Sequence, residues 1–330
     1  MVAPVEQLSA ALPTGWTVRL LAYDEQGVVD ADLDAITVIA GAVEVECAGK
    51  VDTSRGDLAS TLTGPDVLRD HAILVCDAAT APVAASWLEV DRDGRKVWLE
   101  PYSVPGVEQA VRDAVVRYGL QVARQQRGGE PDWKVQVGAY YNELPHIQSL
   151  RRNGFQQVRR FARMYVPVNS PHLPAVPPEL PAGVTIVLAA TPELHRELWR
   201  AHEDSFSEHW GFTARTLESW WSHITALPGS NPENWWLLRV NGATAGLCLM
   251  DDSRAELGEA HIGILGVLPD YRGRGFARIL LLRAFIRARD LGREGITLGV
   301  DSQNATGAVG LYESVGMTAV QIIDTFALPL

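Results

Sequence analysis

A chain of 330 residues is long for one domain and comfortable for two, and 47% hydrophobic with 21% charged residues is the make-up of a globular protein with real cores. The net charge of −11 argues against nucleic acid or an anionic membrane surface as a partner, and is compatible with a cationic small molecule such as an amine. No basic-then-apolar leader opens the chain, no apolar run nears the roughly 20 residues that span a bilayer, and Cys47, Cys76 and Cys248 form no CxxC pair, so a reduced cytoplasmic protein without a metal is expected.

In chain order, Trp16 to Ala22 reads as a strand and Leu33 to Val45 as a helix. His71 to Asp77, Val83 to Val90 and Val97 to Ser103 alternate like strands. Val107 to Arg124 has helical periodicity, Trp133 to Ala139 is a strand, a helix stops at Gly154, and Gln157 to Val166 is a further strand. Six prolines then fall between Pro167 and Pro181, a density no helix or central strand tolerates, so residues 169–182 are expected to be an extended linker. It divides an N-terminal domain, 1–168, from a C-terminal one, 183–330.

The second half repeats the order. Val184 to Leu188 is a strand, Thr191-Pro192 starts a capped helix, and Trp235 to Val240 and Ala245 to Met250 flank an Asn241-Gly242 hairpin turn. His261 to Val267 is a strand, a helix follows from Phe276, Ile296 to Val300 is a strand, Asn304 is the cap of a helix stopped by Gly316, and Thr318 to Phe326 closes the chain. A shift of 162 superposes Asn142 on Asn304, Gly154 on Gly316, Val83 on Ala245 and Leu99 on His261 without a gap, which reads as a tandem duplication of one α/β unit. On that shift Arg272 to Ala277 falls on a glycine-free stretch, Ala110 to Val115, and Tyr312 falls on Leu150, so the N-terminal copy reads as degenerate.

One stretch carries the chemistry. The apolar strand ending at Val267 leads through Pro269-Asp270 into Arg272-Gly273-Arg274-Gly275 and directly into a helix. Strand, glycine loop and helix N-terminus in that order make an anion site, because the first helical N–H groups have no partner inside the helix. The loop lacks the Gly-Lys-Ser/Thr of a P-loop and the third glycine of a dinucleotide fingerprint.

Arg272-x-x-Gly275-x-Ala277, followed by Val300-x-x-x-Asn304-x-x-x-Ala308-x-x-Leu311-Tyr312-x-x-x-Gly316-Met317, resembles the acetyl-CoA site of the GNAT N-acetyltransferase superfamily. The resemblance covers the second half well and the first half by element order only. It implies an α/β fold of two tandem units, each a mixed, mostly antiparallel twisted sheet flanked by helices. It also implies direct acetyl transfer from acetyl-CoA to a primary amine of a small molecule, at one site in the C-terminal domain. Leu265 and Val267 would pair with the pantetheine arm, and Arg272, Gly273, Arg274, Gly275, Phe276, Ala277, Arg278 and Asn304 would hold the rest of the cofactor. The Val267 N–H would polarise the thioester carbonyl and Tyr312, a phenol protonated at neutral pH, would donate to the leaving sulfur.

Glu259 and His261 alternate on one strand face, and either is a candidate to take the amine proton, with Glu259 the first choice. Asp204, Glu208, His209 and Trp210 lie where this family's first helices border the acceptor, and six of the ten tryptophans fall between Trp199 and Trp236, an expected aromatic wall around an ammonium. The tandem arrangement also resembles that of the mycothiol synthases, which acetylate a cysteine amine. A CoA-binding or interaction module that has lost transfer is the alternative of a different class.

Overall fold

The structure, a computed structural model, describes residues 3–25, 27–227, 229–303 and 307–330. The chain forms two compact units, Met1–Phe161 with Gln321–Leu330, and Ala162–Val320.

The first unit carries helices α1 (Pro4–Ala11), α2 (Asp30–Ala48), α3 (Arg55–Thr63), α4 (Gln109–Gln126) and α5 (Leu144–Arg152). Its strands are β1 (Thr17–Leu20), the short pair β2 (Tyr23–Asp24) and β3 (Gly27–Val28), then β4 (Ile73–Cys76), β5 (Pro82–Asp91), β6 (Lys96–Ser103), β7 (Lys134–Tyr140) and the start of β8 (Gln156–Pro167). The main sheet runs β1-β4-β5-β6-β7 and is completed by the C-terminal strand β14 (Thr318–Pro329), antiparallel to β7 from Ile323↔Tyr140 to Pro329↔Lys134. The β6–β7 pair is parallel; the β1–β4, β4–β5, β5–β6 and β7–β14 pairs are antiparallel. One core lies under α4, around Leu99, Val111, Val115 and Leu150; another lies on the α2 side, around Ile36, Ile39, Leu74 and Trp87.

The second unit carries β9 (Val184–Leu188), α6 (Pro192–Phe206), α7 (Leu217–Ala226), β10 (Ser230–Val240), β11 (Ala243–Asp251), β12 (Glu259–Val267), α8 (Phe276–Asp290), β13 (Gly295–Asp301) and α9 (Ala308–Ser314). The sheet order is β8-β13-β12-β11-β10-β9, with β12 and β13 parallel. The Asn241-Gly242 turn forms as expected, both residues at positive φ (50° and 85°), which gives the twist that suits a two-residue hairpin. Core side chains of α8, Phe276, Leu280, Leu281 and Phe285, pack on one face of this sheet, while Leu198 and Ala201 of α6 and Trp220 of α7 pack on the other.

Three differences from the sequence reading have physical causes. The division between the units falls inside β8, not in the Pro-rich stretch, and the last ten residues return to the first unit. Residues 169–182 contain no helix or strand, but Arg289 of α8 donates to the carbonyls of Val168 (2.8 Å), Pro174 (3.2 Å) and Ala175 (3.1 Å), and Leu173 is buried, so the segment is strapped onto the second unit. The gapless shift of 162 also fails at one strand. It sets Leu99, which packs under α4, on His261, whose ring faces Thr297 on the opposite side of its sheet from Ile296 and Leu298. Successive residues of a strand face opposite ways, so the two strands are offset by one position.

Among the described residues no helix is long and apolar enough to cross a membrane, and no group of three or more His, Cys, Asp or Glu is placed to hold a metal ion.

Candidate active site

β12 and β13 pair only from Glu259↔Gly295 to Ile262↔Leu298; beyond that the strands part, and a register shift against β11 falls between Ile262 and Ile264. Which way the freed backbone points follows from the antiparallel ladder. Leu268 N–H donates to the Ala245 carbonyl at 2.9 Å, so 268 and 245 form a hydrogen-bonded pair. Such pairs alternate, which makes Leu265↔Cys248 and Val267↔Gly246 the non-bonded ones. The N–H and C=O of Leu265 and Val267 therefore point away from β11, into the cleft that the parting of β13 opens.

The loop after β12 turns back with Gly273 and Gly275 at φ of 75° and 80°, a backbone that disfavours any residue with a side chain. Nothing lies within 4 Å of where their Cβ atoms would be, so conformation and open space, not crowding inside the protein, select glycine. Gly275 is the N-cap of α8 and supplies no side-chain cap. The N–H groups of Phe276, Ala277 and Arg278 thus start the helix without an intrahelical acceptor, at the positive end of its dipole.

A cavity of about 330 Å³ joins these parts. Leu265, Val267, Arg272, Gly273, Gly275, Phe276, Ala277, Arg278, His209 and Tyr312 line it, together with Ser205, Phe206, Tyr271, Leu311 and others. Tyr312 is buried at 7% exposure, and burial, then Cys248, pushes its pKa up to about 12, so it stays a proton donor over the whole working range. His209 packs its ring 4.5 Å from Phe206; burial, then the Arg272 charge, lowers its pKa, so the imidazole is neutral at pH 7.

The arginines divide by role. Arg272 is committed to the protein: its Nε donates to the Val267 carbonyl (3.2 Å) and one Nη to the Ser205 carbonyl (3.1 Å), tying the end of β12 to the end of α6. Arg274 donates to the Asp270 carbonyl (3.0 Å) and lies 5.5 Å from the Tyr271 ring centre. Arg278 is exposed, on the first turn of α8, and lines the cavity.

Several expected site residues are elsewhere. Glu259 does not line the cavity: its carboxylate accepts from Arg254 Nε (2.7 Å) and faces Arg163 (3.9 Å). At ~3.3 Å per residue the two ends of the nine-residue β12 are roughly 26 Å apart, which separates Glu259 from the Val267 N–H. His261 bonds Thr297 Oγ1 (3.0 Å), and burial lowers its pKa. Asp204 is exposed, Glu208 reaches Arg272 at 3.5 Å from the surface, and neither they nor Trp210 line the cavity. Trp220, Trp235 and Trp236 are core residues, and the cavity's aromatic surface comes from Phe206, Tyr271, Phe276 and Tyr312 instead. Asn304 lies outside the described residues.

The sequence reading missed Ser205 and Phe206 as wall residues. A signal existed in Gly266: a Cβ there would sit 2.9 Å from Ser205 Cβ and 3.0 Å from Phe206, so glycine lets the end of α6 close on β12. Ser205 Oγ is buried and makes no hydrogen bond among the described residues, at the edge of a cavity able to supply one.

Chemically, outward strand amides, an uncapped helix N-terminus, a flanking guanidinium and a buried phenol suit a ligand with a diphosphate at one end and an amide-rich arm leading to a reactive group. The signature of the Acetyltransferase (GNAT) family matches residues 192–317. A mycothiol acetyltransferase of Thermobispora bispora is 34% identical over 231 residues, which cover 67% of this chain and 75% of that one. One of Rhodococcus erythropolis is 29% identical over 205 residues, covering 59% and 66%. Among solved structures, a GCN5-related N-acetyltransferase from Sphaerobacter thermophilus shares the fold with a TM-score of 0.82 at 24% identity, over 96% of each chain. A tandem GNAT protein from the clavulanic acid biosynthesis pathway does so with 0.69 at 12% identity, over 95% of this chain and 98% of that one. The chain belongs to the GNAT acetyltransferase family and is an acyltransferase.

Proposed function

We propose that this protein transfers the acetyl group of acetyl-CoA directly to the primary amine of a small molecule, at one site, in the second unit. The observation that carries the reading is the convergence, on one cavity, of the cleft-facing backbone of Leu265 and Val267, the uncapped start of α8 and the Tyr312 phenol. The amides of residues 273–278 would hold the pyrophosphate, with Arg278 adding charge, and the strand amides would hold the pantetheine arm. When bound, acetyl-CoA supplies the activated thioester.

The chain's own residues then have three tasks. The Val267 N–H, aimed into the cleft, donates to the carbonyl oxygen as negative charge develops there. Tyr312 donates its proton toward the departing sulfur. His209, a neutral imidazole on the cavity wall, is the base the geometry favours for the amine proton, in place of Glu259. Arg272 positions the strand end by holding the carbonyl of the residue whose N–H does the work.

The name shared by the relatives favours a narrower second reading, acetylation of the cysteine amine of a mycothiol precursor. A thiol-release assay over a panel of primary amines, cysteine glycosides included, tests both. Turnover with an amine, abolished or strongly reduced in Tyr312→Phe while acetyl-CoA still binds, is the expected result. Release of thiol with no amine in the panel, or turnover untouched by the variant, would contradict it.

A further inference from the structure

The first unit holds a cavity of its own, about 380 Å³, which no step of acetyl transfer uses. Its wall follows from the register of β6. Val97, Leu99, Pro101 and Ser103 are buried, Val97 and Leu99 under α4, while Trp98, Glu100 and Tyr102 alternate with them, half-buried, on the α2 side. Those three side chains line the cavity with Tyr140 of β7, Phe161 of β8 and Glu143 before α5. Its volume is in the range of pockets that hold small organic ligands, roughly 300–1,000 Å³.

The chemistry of the wall is one-sided. Among the described residues four aromatic rings face the space, two carboxyl groups reach it, and no lysine or arginine lines it. His146, also on the wall, is fully buried against the Gly138 carbonyl, and burial holds it neutral with a pKa lowered to about 4. Among the described residues the Glu100 carboxyl has no hydrogen bond and no ion pair. Burial, and next the charge of Glu89, pushes its pKa up to about 8, the behaviour of a carboxyl without a counter-ion. Glu143 is pushed up to about 7 by burial, against the opposing pull of Arg112. A buried carboxylate with no partner is unfavourable unless something cationic arrives to meet it. Aromatic faces around it select a cation with an organic shell over a hydrated metal ion.

We propose that this cavity is a binding site for a small organic ammonium ion, its charge on the Glu100 carboxylate and its methyl or methylene groups against Trp98, Tyr102 and Tyr140. The role is binding, not transfer, and it does not depend on which amine the second unit acetylates.

Tetramethylammonium, which carries the charge and shell but cannot be acetylated, is the probe. Calorimetric titration of the full chain should show one saturable site, weakened at least about tenfold in Glu100→Gln. At pH 7 binding should release a proton, because Glu100 must ionise. The groups facing it are Glu89, Glu143, Tyr102, Tyr140 and His146; burial raises Glu89 and Glu143 too, so the proton is assigned to Glu100 by its disappearance in Glu100→Gln. Trp98→Leu, which removes a ring and no charge, should weaken binding several-fold and serves if Glu100→Gln does not fold. The neutral isostere tert-butanol should not compete. Absence of saturable binding by the unaltered protein, equal binding by both variants, or competition by tert-butanol would overturn the proposal.

Discussion

In both units a parallel strand pair that opens at one end is joined through a helix, β6-α4-β7 and β12-α8-β13, yet the two clefts are furnished differently. In the second unit eight residues, 268–275, join strand to helix and include two glycines at positive φ; in the first, five residues, 104–108, do so and end in Glu108 at the helix N-cap. The Glu108 carboxylate makes no cap hydrogen bond, but its negative charge beside the helix start disfavours a bound anion. The strand end itself is closed: buried Arg112 of α4 donates to the carbonyls of Ser103 (3.2 Å) and Val104 (2.6 Å). Where the second unit has Tyr312 on its cavity, the first has Leu150 in its core. Loop length, helix cap and strand-end backbone thus differ together between the two units, and that joint difference is the reason the proposed site is assigned to the second.

The sharpest way to break the contrast is to close the open cleft. Gly275→Glu puts a side chain on a left-handed backbone and a carboxylate at the start of α8; acetyl-CoA binding should fall below detection in a titration, with the melting temperature lowered by the modest strain of one such residue, about 1–2 kcal/mol. Tyr312→Phe comes next. Single-turnover rates should drop about 100- to 10,000-fold with acetyl-CoA affinity nearly unchanged, the range of a lost proton donor. Because burial raises the phenol's pKa to about 12, the unaltered enzyme should show no loss of rate from Tyr312 ionisation through pH 10.

His209→Ala should cost about 100-fold in kcat, toward the low end for a general base. As the proposed base His209 works as the neutral imidazole, and burial lowers its pKa, so the acid limb of the unaltered profile should lie below pH 6.5, the ordinary imidazole value, and should vanish in the variant. A limb above that value would remove His209 as the base. Arg112→Ala sharpens the other half of the contrast: it should destabilise the protein by about 2–3 kcal/mol in chemical denaturation, leaving the Ser103 carbonyl without its partner and the Val104 carbonyl with only the Val107 N–H at 3.3 Å, without creating acetyl-CoA binding in a shorter loop that has one glycine at positive φ, Gly106, where the second unit has two. Glu208→Gln, an exposed partner of Arg272, should change stability by less than about 1 kcal/mol.

The local features of this contrast were legible in the sequence. Glycine at 273 and 275, the hairpin at Asn241-Gly242 and the cap at Thr191 each reflect a backbone rule that acts within a few residues, and the structure places all of them as read. Helix α3 was missed although Ser54 and Asp57 form a reciprocal cap, because its short run lacks a periodic apolar face. The non-local features were out of reach. No pattern within β14 says that it pairs with β7, and none within β12 says that one residue offsets its faces from those of β6. Glu259 was chosen on the strand that leads to the motif, but a strand carries its two ends far apart; Asp204 was chosen by the place of this family's first helices, but two residues, about 200° around α6, separate exposed Asp204 from Phe206 on the cavity wall. The Arg112 plug is invisible in sequence because the carbonyls it fills are exposed only by the splay of two strands.

The measurement that tests the central claim most directly is the stoichiometry of acetyl-CoA binding by calorimetry, on the unaltered chain and on Gly275→Glu. One site per chain, lost in the variant, is the predicted result. Two sites, or one site that survives the substitution, would mean that the first unit's cleft is open and the contrast drawn between the two is wrong.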